Sequence, residues 1–268
     1  MKPLVLYHYP CTDGFGAAYC AWKKFGDDAE YRPIHLDQRG MAVVEEGRDV
    51  FVLDYCFSRD VLIEIHKKSR SVTVLDHHIT TAKESADLPF VQLSMNKSGA
   101  GMAWDYFHPG SDCPPVLKAV EDRDLWRFSL EGTREICAYL DTLDLNFNVW
   151  DKTVMEGAEQ ARKQGRAILQ YQEKLIKQIC ACAMVVDILG HSQVPMVSSQ
   201  ILASEVGNRL LDIFPDAPFA IVFYQRGDGK WKYSLRSHSD RADVEAIASR
   251  FGGGGHRNAA GFVLSSPI

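Results

Sequence analysis

Short apolar runs bounded by polar residues punctuate the first part of the chain: Leu4 to Tyr7, Val50 to Leu53, Val72 to Leu75 and Phe90 to Leu93. Runs of this length predict buried strands. Between them the spacing turns helical. Gly14 to Phe25 is rich in Ala and apolar residues, and Ser58 stands as a cap before a helix reaching about Ser69, with Val61, Leu62 and Ile65 as its inner face. Strands alternating with helices predict βαβ units, so the expected fold is α/β: a mainly parallel sheet with helices on both faces.

The pattern changes further on. Val154, Ala158, Ala161, Ile168, Leu175 and Ile179 recur at helical spacing among charged residues, and Gly157 and Gly165 argue against one unbroken rod. The last third reads as a smaller α/β module. It has a strand at Val194 to Val197, a helix at Ser199 to Leu211, and strands at Phe219 to Tyr224 and Trp231 to Leu235 joined by Gly227-Asp228-Gly229, a hairpin signal. A helix from Asp243 to Phe251 then meets four glycines, Gly252 to Gly255. The expected organisation is a domain over 1–145, a helical linker over 146–186 and a second domain over 187–268.

Composition narrows this little. With 46% apolar and 24% charged residues, the 268-residue chain can bury a sizeable core. A net charge of -5 disfavours a long duplex nucleic-acid partner, which calls for a broad basic face. The apolar run after Met1 is too short for a signal peptide, and no stretch reaches the roughly 20 apolar residues of a membrane span. The expectation is therefore a cytoplasmic chain that engages no membrane. Its seven cysteines lack a paired zinc spacing and are expected as reduced thiols.

Acids and histidines gather where apolar runs end. His8, Cys11 and Asp13 follow the first, Asp54 the second and Asp76-His77-His78 the third; Asp122-Arg123-Asp124 follows the shorter run Leu117 to Val120. In open α/β sheets, ligands bind beyond the carboxyl ends of the strands, so these groups are expected to converge. Convergent carboxylates repel one another unless cations compensate them, and a mixed carboxylate–imidazole set suits Mn, Mg, Zn or Fe. Two such ions can activate a water and stabilise a leaving oxygen in phosphoryl chemistry.

The ordered set resembles the DHH phosphoesterase superfamily. Leu75-Asp76-His77-His78 matches its name-giving motif, His8-x-x-Cys11-x-Asp13-Gly14 its first, and Asp54 and Asp122 its second and fourth. Phe251 to Phe262, with Gly253, Gly254, Gly255, His256 and Ala259-Ala260-Gly261, resembles the signature of the DHH-associated C-terminal domain, and Leu235-Arg236-Ser237 fits that domain too. The resemblance implies two metal ions, Mn foremost, with Zn, Fe or Mg as alternatives. His8 and Asp54 would hold the first; Asp13, Asp54, His77 and Asp122 or Asp124 the second, with Asp122 preferred. Asp76 would support the cluster, His78 would face the substrate phosphate, and Arg236, Gly253, Gly254, Gly255 and His256 would bind substrate.

Cys11 departs from the family, which places an Asp there, and the spacing from His8 to Asp13 is one residue longer. It stands either as a soft metal ligand or as a neutral thiol beside the site. Length and the two signatures are similar to the nano-RNase and cyclic-dinucleotide phosphodiesterase branch. That implies hydrolysis of short oligonucleotides or linear dinucleotides to mononucleotides. Alternatives are a cyclic-nucleotide phosphodiesterase, a 3'-phosphoadenosine 5'-phosphate phosphatase, or a nucleotide-sensing module with degraded catalysis. The expected partner is a short nucleotide or small phosphoester; a homodimer is left open.

Overall fold

A computed structural model of the chain describes residues 1–35, 38, 44–55 and 57–268, with 80 and 82 described by backbone only. It divides into two compact units, Met1–Leu169 and Gln170–Ile268.

The first unit is built on five strands: β1 (Leu4–His8), β2 (Glu30–Ile34), β3 (Asp49–Leu53), β4 (Ser71–Asp76) and β5 (Val91–Leu93), in the order β2-β1-β3-β4-β5. Every pairing is parallel. Side chains alternate across a strand, so each apolar run feeds two cores. Leu4, Leu6, Val50, Val52, Val72 and Val74 pack on one face, against Leu62 and Ile65 of α2 (Arg59–Lys68). Val5, Tyr7, Leu53 and Leu75 pack on the other, against α1 (Thr12–Phe25), α4 (Gly99–Phe107) and α5 (Pro115–Asp124). Helices on both faces of a parallel sheet are the arrangement the patterning predicted. A short helix, α3 (Ile79–Ser85), follows β4.

Three further helices close this unit's larger core: α6 (Thr133–Leu140), α7 (Phe147–Glu156) and α8 (Ala158–Cys180). The helical stretch is broken at Gly157, with φ +89°, where a side chain would be strained. Trp150 of α7 and Ala161 of α8 are fully buried in the core of the first unit, so this stretch is structural rather than a spacer. Gly165 sits where α8 touches α6 so closely that a Cβ would lie 1.7 Å from the Glu135 carbonyl oxygen.

The second unit holds a six-stranded mixed sheet, ordered β10-β11-β9-β8-β7-β6. Its strands are β6 (Met184–Ile188), β7 (His191–Ser198), β8 (Ala220–Gln225), β9 (Trp231–Arg236), β10 (Gly254–His256) and β11 (Ala259–Leu264). Helix α9 (Ala203–Ile213) covers one face, its Val206 and Leu210 in one core cluster with Ala220 and Val222 of β8. Helix α10 (Val244–Ser249) covers the other with Tyr233, Leu235 and Phe262. The six described cysteines are free thiols; Cys56 lies outside the described residues. Among the described residues, no helix is long and apolar enough to cross a membrane.

Candidate metal centre

His8 is the last residue of β1, Asp54 follows β3 directly, and Asp76 ends β4. Neighbouring parallel strands ending together bring the three motifs side by side. Asp54 turns out of its strand at φ +54°, a conformation costly for a residue with a side chain, and its N–H still donates to the Leu75 carbonyl at 2.9 Å. The turn sets the carboxylate between two imidazoles. Its Oδ2 lies 3.3 Å from His8 Nδ1 and its Oδ1 3.1 Å from His77 Nε2.

Asp13, in the first turn of α1, reaches the same imidazole, with Oδ2 3.8 Å from His77 Nε2. It is held by two backbone donors at the start of α4, Gly99 N–H at 2.6 Å and Ala100 N–H at 3.0 Å. Ser98 caps that helix, its Oγ accepting from Gly101 N–H at 3.2 Å. Asp76 is fully buried. Its Oδ1 accepts from His77 N–H at 2.9 Å and lies 2.7 Å from His78 Nδ1, and its other oxygen accepts from the Thr81 hydroxyl. Asp76 therefore anchors the His77 backbone and orients the His78 ring.

The fourth group departs from expectation. Residues 115–124 form helix α5, not a run into a strand end. On a helix, positions two apart point to nearly opposite sides, so Asp122 and Asp124 cannot both face the cluster. Asp124 does, with Oδ2 3.6 Å from His77 Nε2. Asp122, the residue preferred from the sequence, is turned away. Its carboxylate accepts from Ser129 N–H at 2.9 Å, Ser129 Oγ at 2.7 Å, Leu130 N–H at 3.1 Å and Thr133 Oγ1 at 2.5 Å. It braces the turn into α6 instead.

The electrostatics express a shortage of positive charge. Burial pushes the Asp13 carboxyl well above the usual range, and the charges of Asp124 and Asp54 push it further. The Asp124 side chain is 27% exposed, yet crowding by the walls of the site and the Asp54 charge raise it too. Asp54 goes the other way: hydrogen bonds from His77 and His8 outweigh its burial and hold it far below the usual range. Burial would lower His77, but Asp54's hydrogen bond and the surrounding acids lift it to about 11. Three carboxylates thus converge on the His77 imidazole, the condition a divalent cation relieves.

The donor sets fit such ions. His8, Cys11 and Asp54 form one group and Asp13, Asp54 and His77 another, with one ligand atom from each residue lying within 4.8 Å of its companions. Asp54 belongs to both. The longer spacing has not carried Cys11 away from the site; burial and the nearby acids, Asp54 first, raise its thiol pKa.

In the second unit, Arg236 ends β9, donating from Nη2 to Ser204 Oγ at 2.6 Å and from Nη1 to the Leu235 carbonyl at 2.8 Å. Burial draws its pKa down to about 10, and it remains a cation at neutral pH. Gly254–His256 form edge strand β10 rather than an open loop, with Gly253 just before it. A Cβ at Gly253 would lie 2.1 Å from the Gly261 carbonyl oxygen, and one at Gly255 2.5 Å from that of Ala259. Close packing on β11 alone accounts for glycine at these two positions.

Residues 178–267 match the DHHA1 domain family. The chain is 33% identical over 283 residues to Uncharacterized protein R106 of Acanthamoeba polyphaga mimivirus, covering 98% of this chain and 67% of that one. The chain belongs to the DHH phosphoesterase superfamily. It is 22% identical over 301 residues to Oligoribonuclease NrnB of Bacillus subtilis, covering 98% of this chain and 73% of NrnB. It is also 26% identical over 290 residues to the A-adding tRNA nucleotidyltransferase of Aquifex aeolicus, of which it spans only 33%. Two solved structures share the fold. The pGpG-specific phosphodiesterase PggH from Vibrio cholerae has a TM-score of 0.54 at 13% identity, covering 98% of this chain and 93% of that one. RecJ from Thermus thermophilus in complex with Mn2+ has a TM-score of 0.51 at 16% identity, covering 98% of this chain and 49% of RecJ.

Proposed function

We propose that this DHH protein is a metal-dependent phosphodiesterase that hydrolyses short oligonucleotides or linear dinucleotides to mononucleotides. The observation that carries the reading is the placement of Asp54 between His8 and His77, with Asp13 and Asp124 on the same imidazole. His8, Cys11 and Asp54 would hold one ion, and Asp13, Asp54, His77 and Asp124 the other. Bound there, the ions would supply a nucleophilic water at neutral pH and charge stabilisation at the phosphoryl oxygens. Mn is the favoured metal, because the set is mostly carboxylate and imidazole and RecJ was solved with Mn2+.

The chain's own residues supply the rest. Asp76 fixes the Nδ1 side of the His78 ring, so His78 would offer Nε2 to a phosphate oxygen. Arg236 and His256 would bind substrate in the second unit, with the glycine-rich strand beside them. The names of NrnB and PggH, an oligoribonuclease and a dinucleotide phosphodiesterase, support a short nucleotide as substrate.

The test is turnover of a panel of di- and trinucleotides, cyclic dinucleotides, 3'-phosphoadenosine 5'-phosphate and pyrophosphate. Each is run in Mn and after exhaustive chelation. Mononucleotide release from linear dinucleotides, abolished by chelation and restored by Mn, is the expected result. Turnover confined to another member of the panel, or undiminished after metal removal, would overturn it.

A further inference from the structure

The first turn of α4 serves more than the metal ligands. A helix start leaves its first N–H groups without partners inside the helix. In α4 each of them is used. Gly99 and Ala100 N–H donate to Asp13, and Gly101 N–H donates to Ser98 Oγ. The donor just before them, Ser98 N–H, goes to a second carboxylate, Glu121 Oε2 at 3.1 Å. Met102 N–H, bonded to the Ser98 carbonyl at 2.9 Å, begins the regular ladder. Two acids from two other helices, Asp13 of α1 and Glu121 of α5, therefore hold the start of α4, where the positive end of the helix dipole favours them.

Two glycines make room on opposite sides of this turn. Residues two apart on a helix point about 200° apart. A Cβ at Gly99 would collide with Asp54, and one at Gly101 would lie 1.8 Å from Glu121 Oε2. The turn is thus pressed between Asp54 in front and Glu121 behind. A cavity of about 450 Å³, lined in part by Lys97, Gly101, Lys118 and Glu121, opens on the rear side. Packing there is incomplete, so the Glu121 carboxylate is what stops the turn from backing away. Glu121 lies three residues before Asp124 on α5, and residues three apart share a helix face. One rigid turn of α5 therefore sets both the contact with α4 and the approach of Asp124 to His77.

We propose that Glu121 is a positioning residue for the second ion. It acts through the Ser98 and Gly99 backbone, fixing Asp13 and Asp54 against Asp124 at the spacing one ion requires. This rests on the reading of those three acids as metal ligands in a phosphodiesterase. Gly101 belongs to the same device, because a side chain there would push the Glu121 carboxylate off Ser98 N–H. The role is distinct from that of the adjacent Asp122, which braces the turn into α6.

The test measures Mn binding to the metal-free full chain by calorimetry, beside turnover of a diadenylate, in wild type, Glu121→Ala, Glu121→Gln and Gly101→Ala. Loss of a group that orients a metal ligand costs about 10–100-fold in affinity or activity. Glu121→Ala should weaken the ion held by Asp13, Asp54, His77 and Asp124 by at least about tenfold, and lower kcat with KM for the diadenylate little changed. Glu121→Gln keeps an oxygen acceptor for Ser98 N–H and should restore most of both. Gly101→Ala should copy Glu121→Ala, although alanine is the better helix former. The double variant should be no worse than either single one, because both changes remove one contact; general loosening of the fold would add instead. Wild-type Mn affinity in folded Glu121→Ala, a Gln variant as weak as the Ala one, or additive losses would overturn the proposal. If Glu121→Ala does not fold, equal Mn affinities in Glu121→Gln and Gly101→Ala overturn it. A wild type that binds Mn but cleaves no nucleotide fails as a phosphodiesterase, and the Mn titrations still decide Glu121; one that binds no Mn overturns both.

Discussion

Gly99 has no side chain at the point where α4 meets Asp54: a Cβ there would lie 2.4 Å from Asp54 Cβ and 2.9 Å from its Oδ1. The same backbone N–H binds Asp13. One missing methyl therefore lets the first turn of α4 press two carboxylates towards His77. Gly99→Ala should displace Asp54 while leaving both strands intact. Displacements near 1 Å at a reacting site cost about 100-fold, so turnover should fall at least that far, with loss of metal from both sites. Metal counting and rates on the folded variant check this; wild-type values for both would show that the contact is not needed.

Asp122 and Asp124 should separate cleanly. Asp124→Asn keeps the shape of the side chain and removes its charge, so the folded protein should lose one ion and at least about 100-fold in turnover. Asp122→Ala strands four donors of the 129–133 turn and should cost roughly 1–3 kcal/mol of stability, while the folded fraction keeps its metal. Denaturant melts paired with metal analysis distinguish them. The reverse pattern would restore Asp122 as the ligand.

That pair also marks where sequence reading reached its limit. Parallel strands were legible because their apolar runs are short and bounded, and a residue just past such a run must lie at the sheet's edge; hence His8, Asp54, Asp76 and His77 were expected at strand ends, and they lie where β1, β3 and β4 end. For 117–124, length alone does not distinguish a buried strand from a buried helix face, and the apolar residues Val116, Leu117, Ala119 and Val120 fit either. Pro114-Pro115 was the available signal, since Pro is favoured in a helix's first turn. Strands β2, β6, β10 and β11 escaped because they mix polar, Pro or Gly residues with apolar ones and draw their stability from pairing. Thr81 carries no sequence mark of a site, and Gly99 only that of a helix N-terminus after Ser98; their contacts with Asp76 and Asp54 give them their roles.

The raised pKa of His77 makes metal-free stability depend on pH in a definite direction. Its folded value of about 11 exceeds the ordinary imidazole value of 6.5. A raised pKa contributes stability that is complete below the unfolded value and is lost as pH climbs towards the folded one. The chelated protein should therefore melt at progressively lower temperature as pH rises above 6.5 towards 9. Metal binding needs the neutral imidazole, so uptake should release protons and tighten by about tenfold per pH unit for each proton released. His77→Ala should flatten much of both trends. A metal-free melting temperature that rises over the same range would contradict the charge assignment.

Cys11 is where this chain leaves its family, and its position allows a direct test. Its sulfur lies close enough to His8 and Asp54 to share an ion with them. Burial and the acids around it keep the thiol protonated without metal, so ligation must expel that proton. A thiolate favours Zn or Fe over Mn, whereas a carboxylate is the harder donor. Cys11→Asp should therefore shift the first site towards Mn and Mg. Cys11→Ser should weaken that site and leave the second, built from Asp13, Asp54, His77 and Asp124, occupied. With Zn or Cd as probe, the wild type should show sulfur-to-metal charge transfer or a thiolate–metal distance near 2.3 Å by X-ray absorption, and Cys11→Ser should not. Unchanged stoichiometry in both variants, with no sulfur signal in the wild type, would make Cys11 a neutral neighbour. The first ion would then be held by His8 and Asp54 alone, which predicts two ions of unequal affinity, the weaker being the one lost first on dialysis.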